Sequence, residues 1–201
     1  MMAIEEFIKQ FSVLFANLKS RQPWEITSQL PEITNKLLSE LDDEFNIENG
    51  VAIHKSAVVE KHVIIKAPAI IEEACFIGSN SYLRGGCYLG RSVSIGTGCE
   101  IKSSMVFNNS AIAHFNFIGD SIIGSNVNFE AGAIIANHYN EKINKKISVL
   151  HNSTIIETQI EKFGALVGDG CKVGANAVLS PGTILTPNTI VKRLELIEQI
   201  K

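Results

Sequence analysis

The sequence is poor in several respects, and each scarcity excludes something. No apolar run is long enough to span a bilayer, because Glu5, Glu6 and Lys9 interrupt the apolar N-terminal residues within a few positions. That stretch also lacks the small-residue cleavage pattern of a secretory signal, so the expected location is cytoplasmic, with no membrane partner. Cationic excess is missing too. Eighteen Lys and Arg against 21 Asp and Glu leave a net charge of −3, which offers no footprint for nucleic acid. There are only four cysteines and no Cys-x-x-Cys pair among them, which argues against a zinc site or a local disulfide. Charged residues make up 19% and hydrophobic ones 45% of the 201 residues, a composition that folds, with enough chain for one domain and an appendage.

What is present divides into two periods. In the first 45 or so residues, Ile4, Phe7, Ile8, Phe11, Leu14, Phe15 and Leu18 recur three or four apart, the spacing of one helical face. Ser20-Arg21-Gln22-Pro23 breaks that helix. A second amphipathic stretch follows, with Ile33, Leu37, Leu38 and Leu41 on one side and Pro31 near its start. So many large apolar groups must be covered. The expectation for residues 1–48 is a helical pair that caps the open end of the next unit or forms an oligomer contact.

From about residue 50 the period becomes six. Ile53, Val59, Ile65, Ile71, Ile77, Leu83, Leu89, Ile95, Ile101 and Phe107 follow one another at that spacing. Two residues before each stands a mostly small group, from Val51 and Ala57 to Cys99 and Met105. Alternating strands ended by turns and repeated every six residues are the mark of a parallel β-helix, in which three strands close a coil of about 18 residues. Each coil buries its inward side chains only by stacking on its neighbours. Cys75, Cys87, Cys99 and Cys171 all fall at the small inward position, so the repeat explains them as core. The register slips near Phe117, resumes at Ile118, Ile123, Phe129 and Ile135, fades between His138 and about Glu161, and returns at Val167. The reading is a β-helix over 49–194, a loop thrown out at about 138–161, and a C-terminal tail at 195–201.

Polar residues interrupt the repeat most densely between Arg84 and Asn137. Arg84 and Lys102 are one coil apart, so they should lie nearly above each other, and two stacked cations call for an anion such as phosphate. His114 stands where the repeat breaks, and Asn128 and Asn137 occupy later hexads. No metal is expected. His114, His138 and His151 lack the close pair that three convergent metal-binding histidines would include.

Glu100-Ile101-Lys102, Ala113-His114 through Gly119-Asp120, and Gly124 through Asn137 together resemble a known family. It is the acetyltransferase domain of bifunctional N-acetylglucosamine-1-phosphate uridyltransferase / glucosamine-1-phosphate acetyltransferase, where the run reads approximately E-x-K, G-H-x-x-Y-x-G-D, N-V-N-x-G-A-G-x-x-x-x-N-Y. Lys162 through Gly170 is similar to archaeal-type sugar-phosphate nucleotidyltransferases. The resemblance covers roughly residues 50 to 190. It implies a mainly β, left-handed parallel β-helix of hexapeptide repeats that works as a homotrimer and transfers acetyl from acetyl-CoA to the amine of an amino-sugar phosphate or nucleotide-linked amino sugar.

By that resemblance His114 is the general base. Arg84 and Lys102 would bind the sugar phosphate, and Glu100, Asn128 and Asn137 the sugar. The backbone of Ala131 and Gly132 would lie along acetyl-CoA, where an N–H can stabilise the tetrahedral oxyanion. Three departures stand out. Phe117 replaces the tyrosine that touches phosphate, Glu130 replaces a glycine, and Asn137-His138-Tyr139 replaces Asn-Tyr-Asp. The helical pair also stands where the family carries a nucleotidyltransferase domain. The alternative expectation is therefore a non-catalytic trimer that binds sugar phosphates or nucleotide sugars, or that serves a separate nucleotidyltransferase.

Overall fold

In the computed structural model, which describes residues 2–200, the chain from Val51 onward winds into a parallel solenoid of short strands with three faces. The first face stacks Val51–His54, Ala69–Ile71, the later parts of Tyr82–Leu89 and Glu100–Val106, then Ile122–Ile123, Ala165–Val167 and Thr183–Leu185. The second runs from Val58–Val59 through Ser94–Ile95, Ala111–Ile112 and Asn128–Phe129 to Lys172–Val173 and Ile190–Val191. The third stacks Ile64–Ile65, the earlier parts of Tyr82–Leu89 and Glu100–Val106, Phe117–Gly119, Ile134–Ile135, Val178–Leu179 and Leu196–Ile197. This is the parallel β-helix that the hexads imply, with the left hand that the family resemblance implies. Each strand hydrogen-bonds to the coils before and after it, and alternate side chains fill the interior.

The interior is a column of Ile, Val, Leu and small residues with essentially no exposure. The four cysteines lie in it as free thiols. Burial pushes the Cys75 thiol up to about 11 and that of Cys87 up to about 12, so both stay protonated and inert near neutral pH. Ser81, Ser104, Ser110 and Ser121 take the same small inward place, and each hydroxyl donates to a backbone carbonyl at 2.7–2.9 Å.

The hexad count is one position too long. Val106 points inward, whereas Met105 and Phe107 point outward into a second cluster. The slip expected near Phe117 occurs earlier, and it occurs twice. Arg84 pairs with Lys102, eighteen residues on, but Cys87 pairs with Ser104, seventeen on. A second residue is lost between Ile118 and Ile123, which stack on Ile101 and Val106. Both shortened corners join the third face to the first, and Ser103 and Asp120 turn them with φ of 46° each. The long loop leaves at the same corner, one coil later.

The N-terminal arm is not one helix pair, and it does not cover an open end. Ile4–Glu6, Phe11–Leu14 (α1) and Ala16–Leu18 are separate turns, followed by α2 (Pro23–Ser28) and α3 (Leu30–Leu38). Gln22 and Glu25 close a capping box at the start of α2, where the sequence had suggested only a breaker. Phe45–Glu48 is a strand, paired antiparallel with Val51–His54. The arm lies lengthwise on the first face. Its Phe7, Phe11, Phe15, Trp24, Ile26 and Leu30 pack on the outward Ile70, Tyr88, Met105, Phe107, Ile122 and Leu166. The reason is in the strands themselves: Ala69–Ile71, Ala165–Val167 and Thr183–Leu185 are buried at every position, so this face is apolar on both sides and needs a cover.

The long loop completes that cover. It folds into a hairpin of Ser148–His151 with Thr154–Glu157, buries Ile147 and Val149 in the same cluster, and sets His151 against Phe7 with ring centroids 5.9 Å apart. Residues expected as a tail continue the solenoid, since Leu196–Ile197 pairs with Val178–Leu179; Lys201 lies outside the described residues. Among the described residues no helix is long and apolar enough to cross a membrane.

The arm's docking rests on one glycine. Gly86 has φ of 82°, and a Cβ there would lie 2.7 Å from the Pro31 nitrogen and 2.9 Å from the Leu30 carbonyl carbon. Gly86→Ala combines left-handed strain with overpacking, and should cost about 2–4 kcal/mol of stability. Urea unfolding checks this; a loss of less than about 0.5 kcal/mol, the scale of an ordinary surface change, would mean that α3 is not seated there.

Candidate active site

With the first face sheathed, the second and third faces and the edge between them carry the polar residues singled out in the sequence. Arg84 and Lys102 do stack on the third face in direct register. They are not, however, two free cations awaiting an anion. Arg84 makes a forked contact with Glu100, Nε to Oε1 at 2.7 Å and Nη2 to Oε1 at 2.6 Å, and its guanidinium lies 5.8 Å from the Tyr82 ring centroid. Lys102 Nζ donates to Asp120 Oδ2 at 2.5 Å, with both side chains largely buried. Asn137 donates its amide to the same Asp120 oxygen, and His138 Nδ1 sits 3.2 Å from the Asn137 oxygen.

The result is a polar ladder, Arg84–Glu100 over Lys102–Asp120–Asn137, along the corner where the two residues are lost. Each of the two cations is thus paired with a carboxylate of the protein itself. Asp120 is the residue that sequence reasoning missed as a member of the site. Its signal was the unexplained polar pair Asp120-Ser121 at the second slip.

Because Lys102 is the counter-ion of a buried carboxylate, removing it alone leaves Asp120 uncompensated. Lys102→Met should cost about 3 kcal/mol. Lys102→Met combined with Asp120→Asn should recover most of that loss. Thermal unfolding of the two variants measures it, and equal losses in both would show that the pair carries no such coupling.

Phe117 lies beside Glu100 in register, and its ring folds back over Gly119, where a Cβ would come within 2.8 Å of it. At the opposite edge of the third face stands His114, in the turn between Ala111–Ile112 and Phe117–Gly119. Its side chain is exposed, packs with Nδ1 against Gly96, and makes no hydrogen bond among the described residues. The turn is fixed through its carbonyl, which accepts the Gly132 N–H at 2.9 Å and the Asn116 amide at 3.2 Å. Ala131 and Gly132 therefore sit directly over His114 in the next coil.

His114 and the ladder lie on opposite sides of one strand, roughly 10–15 Å apart for that length of extended chain. Asn128 is not with them. It is exposed on the second face, next to Lys172 in register and beyond the His114 edge. Glu130 begins the turn above that edge and holds Arg193. The predicted set is thus split in three. Arg84, Glu100, Lys102, Phe117 and Asn137 belong to the third face, Asn128 belongs to the second, and His114, Ala131 and Gly132 form the ridge between them.

Fold and repeat define the class: this is a hexapeptide-repeat protein with a left-handed β-helix. Residues 67–162 match the family described as the GMPPB C-terminal domain, and residues 152–185 match the hexapeptide repeat of succinyl-transferase. Among solved structures, a hexapeptide transferase family protein from Anaplasma phagocytophilum is 21% identical over 74% of each chain, with a TM-score of 0.41. A variant of perosamine N-acetyltransferase from Caulobacter crescentus, in complex with CoA and GDP-perosamine, is 21% identical over 42% of this chain and 47% of that one, TM-score 0.28. A variant of the N-acyltransferase AntD from Bacillus cereus, in complex with dTDP and coenzyme A, is 12% identical over 78% and 81%, TM-score 0.37. No curated protein matches the chain.

Proposed function

We propose that this protein transfers an acyl group, acetyl in the simplest case, from acyl-CoA to the amine of an amino sugar that carries a phosphate or a nucleotide. The observation that carries the reading is the position of His114: an exposed imidazole with both nitrogens free of partners among the described residues, on the ridge between the second and third faces. Support comes also from the match to a succinyl-transferase repeat and from the spaced residues shared with the sugar-phosphate acetyltransferases.

In this reading the acceptor lies across the third face, with its sugar against Glu100, Phe117 and Asn137 and its anionic end toward the exposed part of Arg84. The donor lies on the second face, with its thioester at Ala131-Gly132. His114 takes the proton from the attacking ammonium-derived amine as nitrogen adds to the thioester carbonyl. An N–H of the Ala131-Gly132 turn bonds the oxyanion, and collapse expels the CoA thiolate, which takes the proton from His114 and leaves as the thiol.

The bare second and third faces expose Ile64, Phe115, Ile134, Ile190, Leu194 and Leu196, and a homotrimer with the donor groove between copies would cover them. The self-paired Arg84 and Lys102 and the missing Phe117 hydroxyl favour one second reading, a trimer that binds the sugar ligand without turnover. Thiol release from acetyl-CoA, measured with a panel of amino-sugar phosphates and nucleotide-linked amino sugars, separates the two. Release that requires the amine supports transfer; sugar-nucleotide binding with no release from any acceptor supports the second reading.

A further inference from the structure

The last coils of the second face form a groove lined by Asn128, Glu130, Lys172, Lys192 and Arg193 over a floor of Val173, Gly174 and Val191. The chain carries a net charge of −3, yet three cations meet in this groove with a single acid. Neither Lys172 nor Lys192 forms an ion pair among the described residues. Glu130 takes the third cation. Its Oε1 accepts from Arg193 Nη2 at 2.6 Å and its Oε2 from Nε at 2.7 Å, while Oε2 also accepts the Ala175 N–H at 2.9 Å. The side chain thereby reaches past the intervening coil, at Gly174, to the one beyond it. The arrangement is the bidentate carboxylate–guanidinium fork, and a phosphate presents the same geometry to arginine.

We propose that Glu130 is a built-in competitor for this groove: its carboxylate occupies Arg193 where a phosphate of the acyl-CoA donor would bind, and the donor must displace it. The identity of the anion as CoA rests on the acyl-transfer reading above; the competition itself does not. Three features support displacement rather than a fixed brace. The Arg193 side chain is 73% exposed, so the pair is open to water and to an incoming anion. Exchange swaps one anion for another on Arg193, and the freed carboxylate, 35% exposed, turns to water. Glu130 also directly precedes Ala131-Gly132, so its release acts on the turn that stacks over His114. A chain with glycine at this position has no such competitor.

Calorimetry on the full-length protein, with CoA and separately with inorganic pyrophosphate, tests this. Glu130→Gln keeps an oxygen for the Ala175 N–H and removes the charge. It should bind both ligands about fivefold more tightly than wild type, the effect of removing one nearby surface charge. Arg193→Gln should weaken both, and adding Glu130→Gln to it should then change little. Glu195→Gln is the control. It deletes an equal charge on the same coil, from a carboxylate that among the described residues accepts only the Lys192 backbone N–H, and should leave affinity within twofold.

Unchanged or weaker binding in Glu130→Gln overturns the proposal, as does equal tightening in Glu195→Gln or the absence of binding by either ligand to every variant. If CoA binds wild type while Glu130→Gln changes nothing, the competition fails and the acyl-CoA reading stands. If only pyrophosphate binds, and more tightly to Glu130→Gln, the competition stands and the acyl-CoA reading fails.

Discussion

Replacing His114 with alanine is expected to lower acetyl transfer by about 10²- to 10⁴-fold, the usual contribution of a positioned general base, with the fold unchanged. The structural half of that expectation comes from the turn. The imidazole is exposed and bonded to nothing among the described residues, while the turn is held by its backbone carbonyl, which alanine retains. Stability should therefore stay within about 0.5 kcal/mol of wild type, as for other surface changes. Steady-state rates together with thermal unfolding decide the matter. A variant as fast as wild type would remove His114 from the chemistry. A variant that is slow and also unfolded would show the turn description to be wrong.

The second large effect lies outside the site. Phe107→Ala should cost about 3–5 kcal/mol, the range for a fully buried phenylalanine. Its ring has no exposure and stands 6.0 Å from that of Phe11, 5.7 Å from Phe15 and 6.2 Å from Tyr88. It is the hinge pin between solenoid and arm. In the alternative geometry, with Phe107 inside the prism as the tenth hexad, the same loss would occur but would be independent of the arm. A double-mutant cycle with Phe15→Ala distinguishes them. Contact across the arm predicts a coupling of about 0.5–3 kcal/mol, and simple additivity would contradict it. Urea unfolding of the four proteins supplies the cycle.

Phe107 also shows why the fold was legible in the sequence while its register was not. Nine hexads from Ile53 to Ile101 determine the coil, because an inward aliphatic position every six residues fits no other packing. A single missing residue at Ser103 then moves every later side chain to the opposite surface, and Met105-Val106-Phe107 is apolar at each position, so no polar residue marks the change. Sequence reasoning carried the old count past the slip and found the discrepancy only at Phe117, after the second lost residue.

The arm was legible as apolar and in need of a partner, but its partner was not. The doubly apolar strands Ala69–Ile71 and Ala165–Val167 were the available signal, since a strand with one wet face alternates and these do not. Within the candidate site, the eighteen-residue offset placed Arg84 over Lys102 correctly. Their carboxylates were harder to see. Glu100 neutralises Arg84 from the neighbouring coil, and Asp120 reaches Lys102 only because both corners are one residue short. Lys172 and Arg193 could not be aligned with Asn128 and Glu130 at all. The loop makes that coil step forty-four residues, as in the pairing of Ile123 with Val167, and no periodicity predicts such a number.

The central claim is that one ridge, centred on His114, joins a donor on the second face to an amine on the third. Its most direct test is the fate of the acyl carbon. Acetyl-CoA labelled at the acetyl carbonyl is incubated with the protein and an amino-sugar phosphate or nucleotide-linked amino sugar, and the products are followed by carbon NMR and mass spectrometry. The account predicts that the label moves to an amide on the acceptor nitrogen at a rate set by protein concentration and greatly reduced in His114→Ala. Label that stays in the thioester, or appears only as free acetate with every acceptor, would contradict it.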